Sequence, residues 1–271
     1  MSNAPQPATA NPVVLEQRHG SIATLVLNRA EKLNALNSEL SKALNAELTR
    51  LAEDESIRVV VLTGAGRAFC SGGDLGAIGK GRERKDVDQL GPILRSGMQM
   101  VVKIRTMPQP VIAAVNGPAA GAGMNLALAA DIRIATEEAT FGQNFSRVGL
   151  FPDYGGVYFL PQLVGPSKAA EMFYTGEMID AQTALRLGLV NRVVPASQLE
   201  AATKEMAEKI AQGPPIAVRA IKKTLFGSEK EQLEKALELE VREQIKCFHS
   251  EDCMEGIRAF FEKRKPKFEG R

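Results

Sequence analysis

The chain has no tryptophan, three tyrosines, two histidines and three cysteines in 271 residues. Each shortage removes a class of function. His19 and His249 cannot readily supply a zinc cluster or a Ser-His-Asp triad, so no metal site is expected and each reads as a lone surface histidine. Cys70, Cys247 and Cys253 are few and odd in number and form no CxxC. That excludes a disulfide framework and fits a reduced compartment. The net charge of +2 is too small for a nucleic-acid partner, and there is no aromatic set for stacking bases. No run approaches the ~20 apolar residues of a membrane span. Residues 1–12, MSNAPQPATANP, lack the charged start and apolar core of a signal peptide and read as a disordered tail. The expectation is a soluble, cytoplasmic protein with neither nucleic-acid nor membrane partners.

The chain is rich in small-residue corners between apolar runs. Residues 111–131, VIAAVNGPAAGAGMNLALAAD, hold the fullest example. Val111 to Val115 read as a buried strand, Asn116-Gly117-Pro118 as a break, and Met124 to Ala130 as an apolar helix. The small residues Ala119 to Gly123 between them let a ligand lie directly on backbone. The helix start adds free N–H groups and partial positive charge. Such a corner suits an atom that carries, or will acquire, negative charge.

Around it the order is that of an α/β protein. Val13–Glu16 and Ser21–Leu27 read as strands joined by a turn at His19-Gly20. Leu36, Leu40, Leu44, Leu48 and Leu51 predict a helix over 37–53. Val59–Thr63 reads as a buried strand followed by the glycine-rich loop Gly64–Asp74. Residues 76–91, rich in Gly, Lys, Arg and Asp, read as mobile and exposed. A helix around Leu94 to Ile104 stops before Pro108. Asp131 to Ala135 is another strand, and Asn191 to Val194 a short one. Beyond it the chain turns helical over 197–212, 214–226 and 229–248. Ser250 caps a last helix whose first turn carries Glu251 and Asp252. We therefore expect a core over 13–200 and a helical oligomerisation segment over 201–271, whose apolar stripe packs on its own body or another subunit.

The glycine loops do not read as phosphate loops. GAGRAF at 64–69 has Phe69 where GxGxxG needs its third glycine, and the 121–126 run has Leu126 there. No GxxxxGK[ST] is present. The two loops serve either as paired N–H donors, each worth roughly 3–4 kcal/mol to a developing oxyanion, or simply as tight turns. Spacing alone does not choose.

The motifs choose. Leu27–Leu36 (LNRAEKLNAL), Ala68–Leu75 (AFCSGGDL), Ala114–Gly123 with Leu126–Asp131, Gly149–Gly156, Tyr174-Thr175-Gly176, Gly188-Leu189-Val190 and Phe260–Arg264 resemble those of the crotonase (enoyl-CoA hydratase/isomerase) superfamily, from about residue 13 to the end. The resemblance implies a crotonase-type spiral of ββα units with a C-terminal helical trimerisation segment, assembled as a homotrimer or dimer of trimers. It implies an acyl-coenzyme A substrate and no separate cofactor, coenzyme A being part of the substrate. It makes the backbone N–H groups of Ser71 and Ala122 the oxyanion donors. Backbone around Lys32, Leu33, Ala68 and Cys70 would line the adenine and pantetheine path, and Gly72, Gly73, Asp74, Leu75 and Gly121 the rest of the two loops. Phe260 and Lys263, from a neighbouring subunit's tail, would approach the nucleotide end, where a cation suits phosphates.

Departures from the family pattern narrow the activity. Hydratases of the family use two glutamates, and here those positions are Asn125 and Phe145. Asn cannot act as a general base, and Phe excludes water. Asp153 instead stands where several isomerase branches carry their base. The combination resembles single-aspartate isomerases, such as ring-1,2-epoxyphenylacetyl-CoA isomerases and Δ3,Δ2-enoyl-CoA isomerases. A carboxyl with an ordinary pKa near ~3.9 is too weak a base unless desolvation raises it. Phe145, Phe151 and Tyr154 are apolar enough to do so. Tyr154 and Asn125 are further candidates for substrate contact. Hydration on an altered scheme, another crotonase-type reaction, or non-catalytic acyl-CoA binding remain the alternatives.

Overall fold

The computed structural model describes residues 12–83 and 90–271. All but the last residue of the expected tail at 1–12, and part of the 76–91 segment, therefore lie outside the described residues. In chain order the elements are β1 (Val14–His19), β2 (Ile22–Leu27), α1 (Ser38–Glu53), β3 (Val59–Gly64), α2 (Leu75–Glu83), α3 (Leu90–Thr106), β4 (Val111–Val115), β5 (Ala119–Ala120) and α4 (Ala122–Ala129). There follow β6 (Ile132–Thr136), β7 (Thr140–Gly142), α5 (Gly156–Val164), α6 (Pro166–Thr175), β8 (Met178–Asp180), α7 (Ala181–Arg186) and β9 (Arg192–Val194). Four helices close the chain: α8 (Leu199–Ala211), α9 (Pro215–Gly227), α10 (Lys230–His249) and α11 (Glu251–Glu262). The class is mixed α/β, as expected.

The main sheet runs β1-β2-β3-β4-β6-β9. β1 pairs antiparallel with β2, and every later pairing in that sheet is parallel. Parallel strands are covered on both faces, so they read as unbroken apolar runs. Alternate residues then divide between two cores. Val60 and Leu62 face the larger one, with Leu40, Leu44 and Leu48 of α1. Val59 and Val61 face the smaller one, with Leu199, Ala202, Ala207 and Ala211 of α8. Thus α8, which straddles the boundary expected near residue 200, closes the second face of the sheet.

A smaller sheet, β5-β7-β8, holds the glycine corner in place. β5 pairs with β7, and the Gly121 N–H donates to the Gly142 carbonyl at 2.8 Å. The 111–131 stretch is clasped end to end. Asp131 donates its N–H to the Val111 carbonyl (2.9 Å), and its carboxylate accepts the Val111 N–H (2.7 Å). Lys222, buried in α9, completes the clasp. Its ammonium reaches Asp131 at 2.8 Å and the carbonyls of Ile104 and Gln109 at 2.9 and 2.8 Å. A buried cation is tolerated there because every contact is an acceptor.

The 76–91 segment, expected to be mobile and exposed, starts as a helix: Leu75–Glu83 is begun by Asp74, whose carboxylate accepts the Ala77 N–H at 3.1 Å. α11 packs on α2 and on the turn Ser146–Val148 of its own chain. Gly256 makes this possible, since a Cβ there would stand 2.4 Å from the Val148 carbonyl carbon. Among the described residues, no helix is long and apolar enough to cross a membrane.

Candidate active site

A cleft of about 1180 Å³ opens where the two glycine loops, the 145–154 segment and the C-terminal helices meet. It brings together most of the residues singled out from sequence. Lys32, Leu33, Ser71, Gly72, Gly73, Asp74, Leu75, Gly121, Ala122, Phe145, Asp153, Tyr154, Phe260 and Lys263 all line it. Phe260 and Lys263 do so from the same chain.

Three expected contacts do not line the cleft. Ala68 and Cys70 are buried behind it. The Ala68 carbonyl accepts from the side chains of Asn34 (2.8 Å) and Asn116 (3.3 Å), and the Cys70 thiol donates to the Asn34 carbonyl. Burial pushes that thiol up to about 12, so it is no nucleophile. Asn125 is 0% exposed and fully engaged. Its amide donates to the Asp153 carbonyl (2.7 Å) and accepts from the Gln143 amide (2.5 Å). Asn125 therefore braces the Asp153 backbone and is not a substrate contact.

The backbone wall of the cleft comes from the two loops, which lie almost atom against atom. Gly72 has φ +97°, and a Cβ on it would stand 2.8 Å from the Ala120 carbonyl oxygen. A Cβ on Gly123 would stand 2.2 Å from the Cys70 carbonyl oxygen. Only glycine permits both approaches. Ala122 is the first residue of α4, where helix geometry leaves an N–H without an intrahelical acceptor.

The resemblance makes the Ser71 N–H the facing donor. The Ser71 N–H is already given to the Leu33 carbonyl at 3.0 Å. Two residues on, Leu36 bridges to Gly73 in parallel register: the Leu36 N–H goes to the Gly72 carbonyl (2.7 Å), and its carbonyl receives the Asp74 N–H (3.0 Å). That pattern turns the N–H of Gly73 itself to the opposite edge of the bridge, away from Leu36.

The acidic wall is assembled from distant side chains. Asp153 is 8% exposed. Burial pushes its carboxyl up to about 7, against a smaller lowering by the Gln244 amide, which donates to Oδ2 at 3.1 Å. Glu240 lies close by, 2% exposed, and accepts the N–H groups of Gly155 (2.8 Å) and Val157 (3.0 Å). Burial lifts it to about 8, with the Gly155 bond opposing and Asp153 adding. Tyr154 sits at φ +55°, its ring in a notch at Gly97, where a Cβ would be 2.2 Å from the ring. Burial raises its phenol, which therefore stays neutral.

Sequence reasoning missed Gln244 and Glu240. Their only local signal was a polar pair, one turn apart, on the apolar stripe of 229–248.

Known proteins agree with this architecture. The family model for enoyl-CoA hydratase/isomerase matches residues 17–271. A probable enoyl-CoA hydratase of Rhodobacter capsulatus is 44% identical over 253 residues, 92% of this chain and 95% of that protein. The 1,2-epoxyphenylacetyl-CoA isomerase of Escherichia coli is 37% identical over 265 residues, 95% and 98% of the two chains. The crystal structure of an enoyl-CoA hydratase from Mycobacterium avium subsp. paratuberculosis superposes with a TM-score of 0.86 at 30% identity, covering 95% of this chain and 98% of that one. With its fold, cleft and full-length likeness in agreement, this chain belongs to the enoyl-CoA hydratase/isomerase family, the crotonase family of coenzyme A thioester enzymes.

Proposed function

We propose that the protein is an acyl-CoA isomerase that moves a double bond, or rearranges a ring epoxide, through an enolate, with Asp153 as the single acid/base. The observation that carries this is the pairing of one buried, cleft-lining carboxyl with amide and phenyl side chains at Asn125 and Phe145, where the family's hydratases carry glutamates. With no second carboxylate in the described lining of that wall, there is little to hold and activate a water. A proton shift needs only one group that takes a proton and returns it.

The thioester carbonyl would sit between the N–H groups of Ala122 and Gly73, the latter replacing Ser71 because the Ser71 N–H is engaged. Charge developing on that oxygen meets two fixed dipoles, and the proton next to the carbonyl becomes more acidic. Asp153 then removes it. A carboxyl lifted to about 7 is a far better base than an ordinary one and is still half ionised at neutral pH. Coenzyme A enters as part of the substrate. Lys32 and Lys263 at the cleft mouth suit its phosphates. Self-association through the C-terminal helices, as a trimer or a pair of trimers, belongs to the same proposal.

A panel of thioesters tests it: 3-enoyl, 2-enoyl, dienoyl and the phenylacetyl-derived epoxide. Turnover of the 3-enoyl or epoxide substrate that Asp153→Asn abolishes is the expected result. Hydration of the 2-enoyl substrate, untouched by Asp153→Asn, would overturn it in favour of an altered hydratase scheme.

A further inference from the structure

Gln244 meets the 151–157 loop at two points. Its Oε1 accepts the Phe151 N–H at 2.9 Å, and its Nε2 donates to Asp153 Oδ2 at 3.1 Å. The first bond decides the second. A backbone N–H only donates, so the amide oxygen must face Phe151 and the NH2 must face the carboxyl. Gln244 is 1% exposed and cannot turn to solvent. The other carboxyl oxygen, Oδ1, is buried and has no hydrogen-bond partner among the described residues. The two oxygens of one carboxyl are thus unlike: Oδ2 accepts from the Gln244 amide, and Oδ1 has no hydrogen-bond partner among the described residues.

We propose that Gln244 is a positioning residue that reserves Oδ2 as an acceptor and makes Oδ1 the atom that takes and returns the substrate proton. The proposal rests on the isomerase reading above and adds the atom and the residue that selects it. The amide N–H is accepted better by a carbonyl oxygen than by a hydroxyl oxygen, so the neutral acid carries its hydrogen on Oδ1. In the first half, an Oδ1 lone pair takes the proton next to the thioester, and the C–H electron pair flows to the thioester oxygen. In the second, the electrons return to re-form the carbonyl, the distal carbon bonds to the hydrogen leaving Oδ1, and the carboxylate is restored. Nothing is consumed. The titratable groups against Asp153 are Glu240, which pins the backbone just after it, and Tyr154, which burial keeps neutral.

Two variants separate donor from brace. Gln244→Glu keeps an acceptor for Phe151 but loses the amide donor, and Gln244→Met loses both. The first readout is the titration midpoint of the Asp153 carboxyl in ligand-free protein, followed by carbon-13 NMR with Asp153→Asn identifying the signal. Losing a hydrogen bond to the charged form raises that midpoint. We expect a rise of about one unit in Gln244→Met and a larger one in Gln244→Glu, which adds a like charge. The second readout is kinetic: kcat at pH 7 falls about 10-fold or more in both, with KM within threefold, and the rate recovers at higher pH. An unshifted midpoint in Gln244→Glu, or a loss confined to KM, overturns the proposal while an inactive Asp153→Asn leaves the isomerase reading standing. Full activity in Asp153→Asn overturns both. Should Gln244→Met fail to fold, Gln244→Glu alone decides.

Discussion

One wall of the cleft is made of backbone and the other of side chains. The backbone wall, from Ser71–Leu75 and Gly121-Ala122, presents N–H groups that the fold itself orients. Its requirements are small residues and two close approaches, at Gly72 and Gly123. The side-chain wall is a carboxyl raised by burial and lowered by the amide of Gln244, 91 residues downstream, with Glu240 holding the backbone N–H of Gly155 beside it. A wall of backbone tolerates many side chains but few changes of conformation. A wall of side chains is the reverse. Under the proposed function, charge stabilisation and proton transfer are therefore open to separate damage, and that is how the contrast can be tested.

The largest effect is expected on the side-chain wall. Asp153→Asn should lower kcat about 10³-fold, with thioester binding largely kept, as measured by steady-state kinetics and calorimetry with a product thioester. Next comes the backbone wall. Ala122→Pro removes one N–H at the first position of α4, where proline is tolerated in a helix. Turnover should fall about 10²-fold, while binding of free coenzyme A changes much less. Equal losses of both would make that corner a structural turn only.

Gly156→Ala tests the brace between the walls. Its Cβ would lie 2.4 Å from the Asn125 amide nitrogen that holds the Asp153 carbonyl. We expect about 10-fold lower kcat and a loss of about 1–3 kcal/mol in denaturant unfolding.

The smallest effect is on stability and depends on pH. The folded Asp153 titrates near 7 against an ordinary value of 3.8, so between these pH values the native state binds more protons than the unfolded one. Its contribution therefore falls as pH rises from about 4 to about 7, and Glu240 adds in the same direction. Asp153→Asn should be more thermostable than the parent at pH 8, with the gap closing towards pH 4. A gap that does not change with pH would show that Asp153 is not held neutral by burial.

The two walls also differ in how far they could be read from the sequence. The two loops that hold Gly72, Gly73, Gly121 and Ala122 were legible because backbone geometry depends on neighbours in sequence, while the choice of those residues came from the family resemblance. The strands β2, β3 and β4, the leucines of α1 and the cap at Ser250 were legible for the same reason. Asp153 was found through the family's motif. What was not legible depends on contacts across long separations. Asn125 was expected at the substrate and instead braces Asp153. The Ser71 N–H was expected free and is given to Leu33. α2 forms in a segment whose composition suggests a mobile loop, because Asp74 starts it and α11 packs against it. Lys222 carries no local signal, and Glu240 and Gln244 only that of a polar pair on an apolar stripe, since a polar residue on a helix marks burial only when its acceptor is known.

The dependence of Asp153 on α10 has a consequence for recombination between relatives. A crossover placed between residues 157 and 240 would join a base from one parent to the helix that tunes it from another. Such chimeras can keep fold, cleft and thioester recognition and still carry an acid of the wrong strength. Exchanging 151–157 together with 240–244 is the smallest transplant that moves the proton chemistry as a unit.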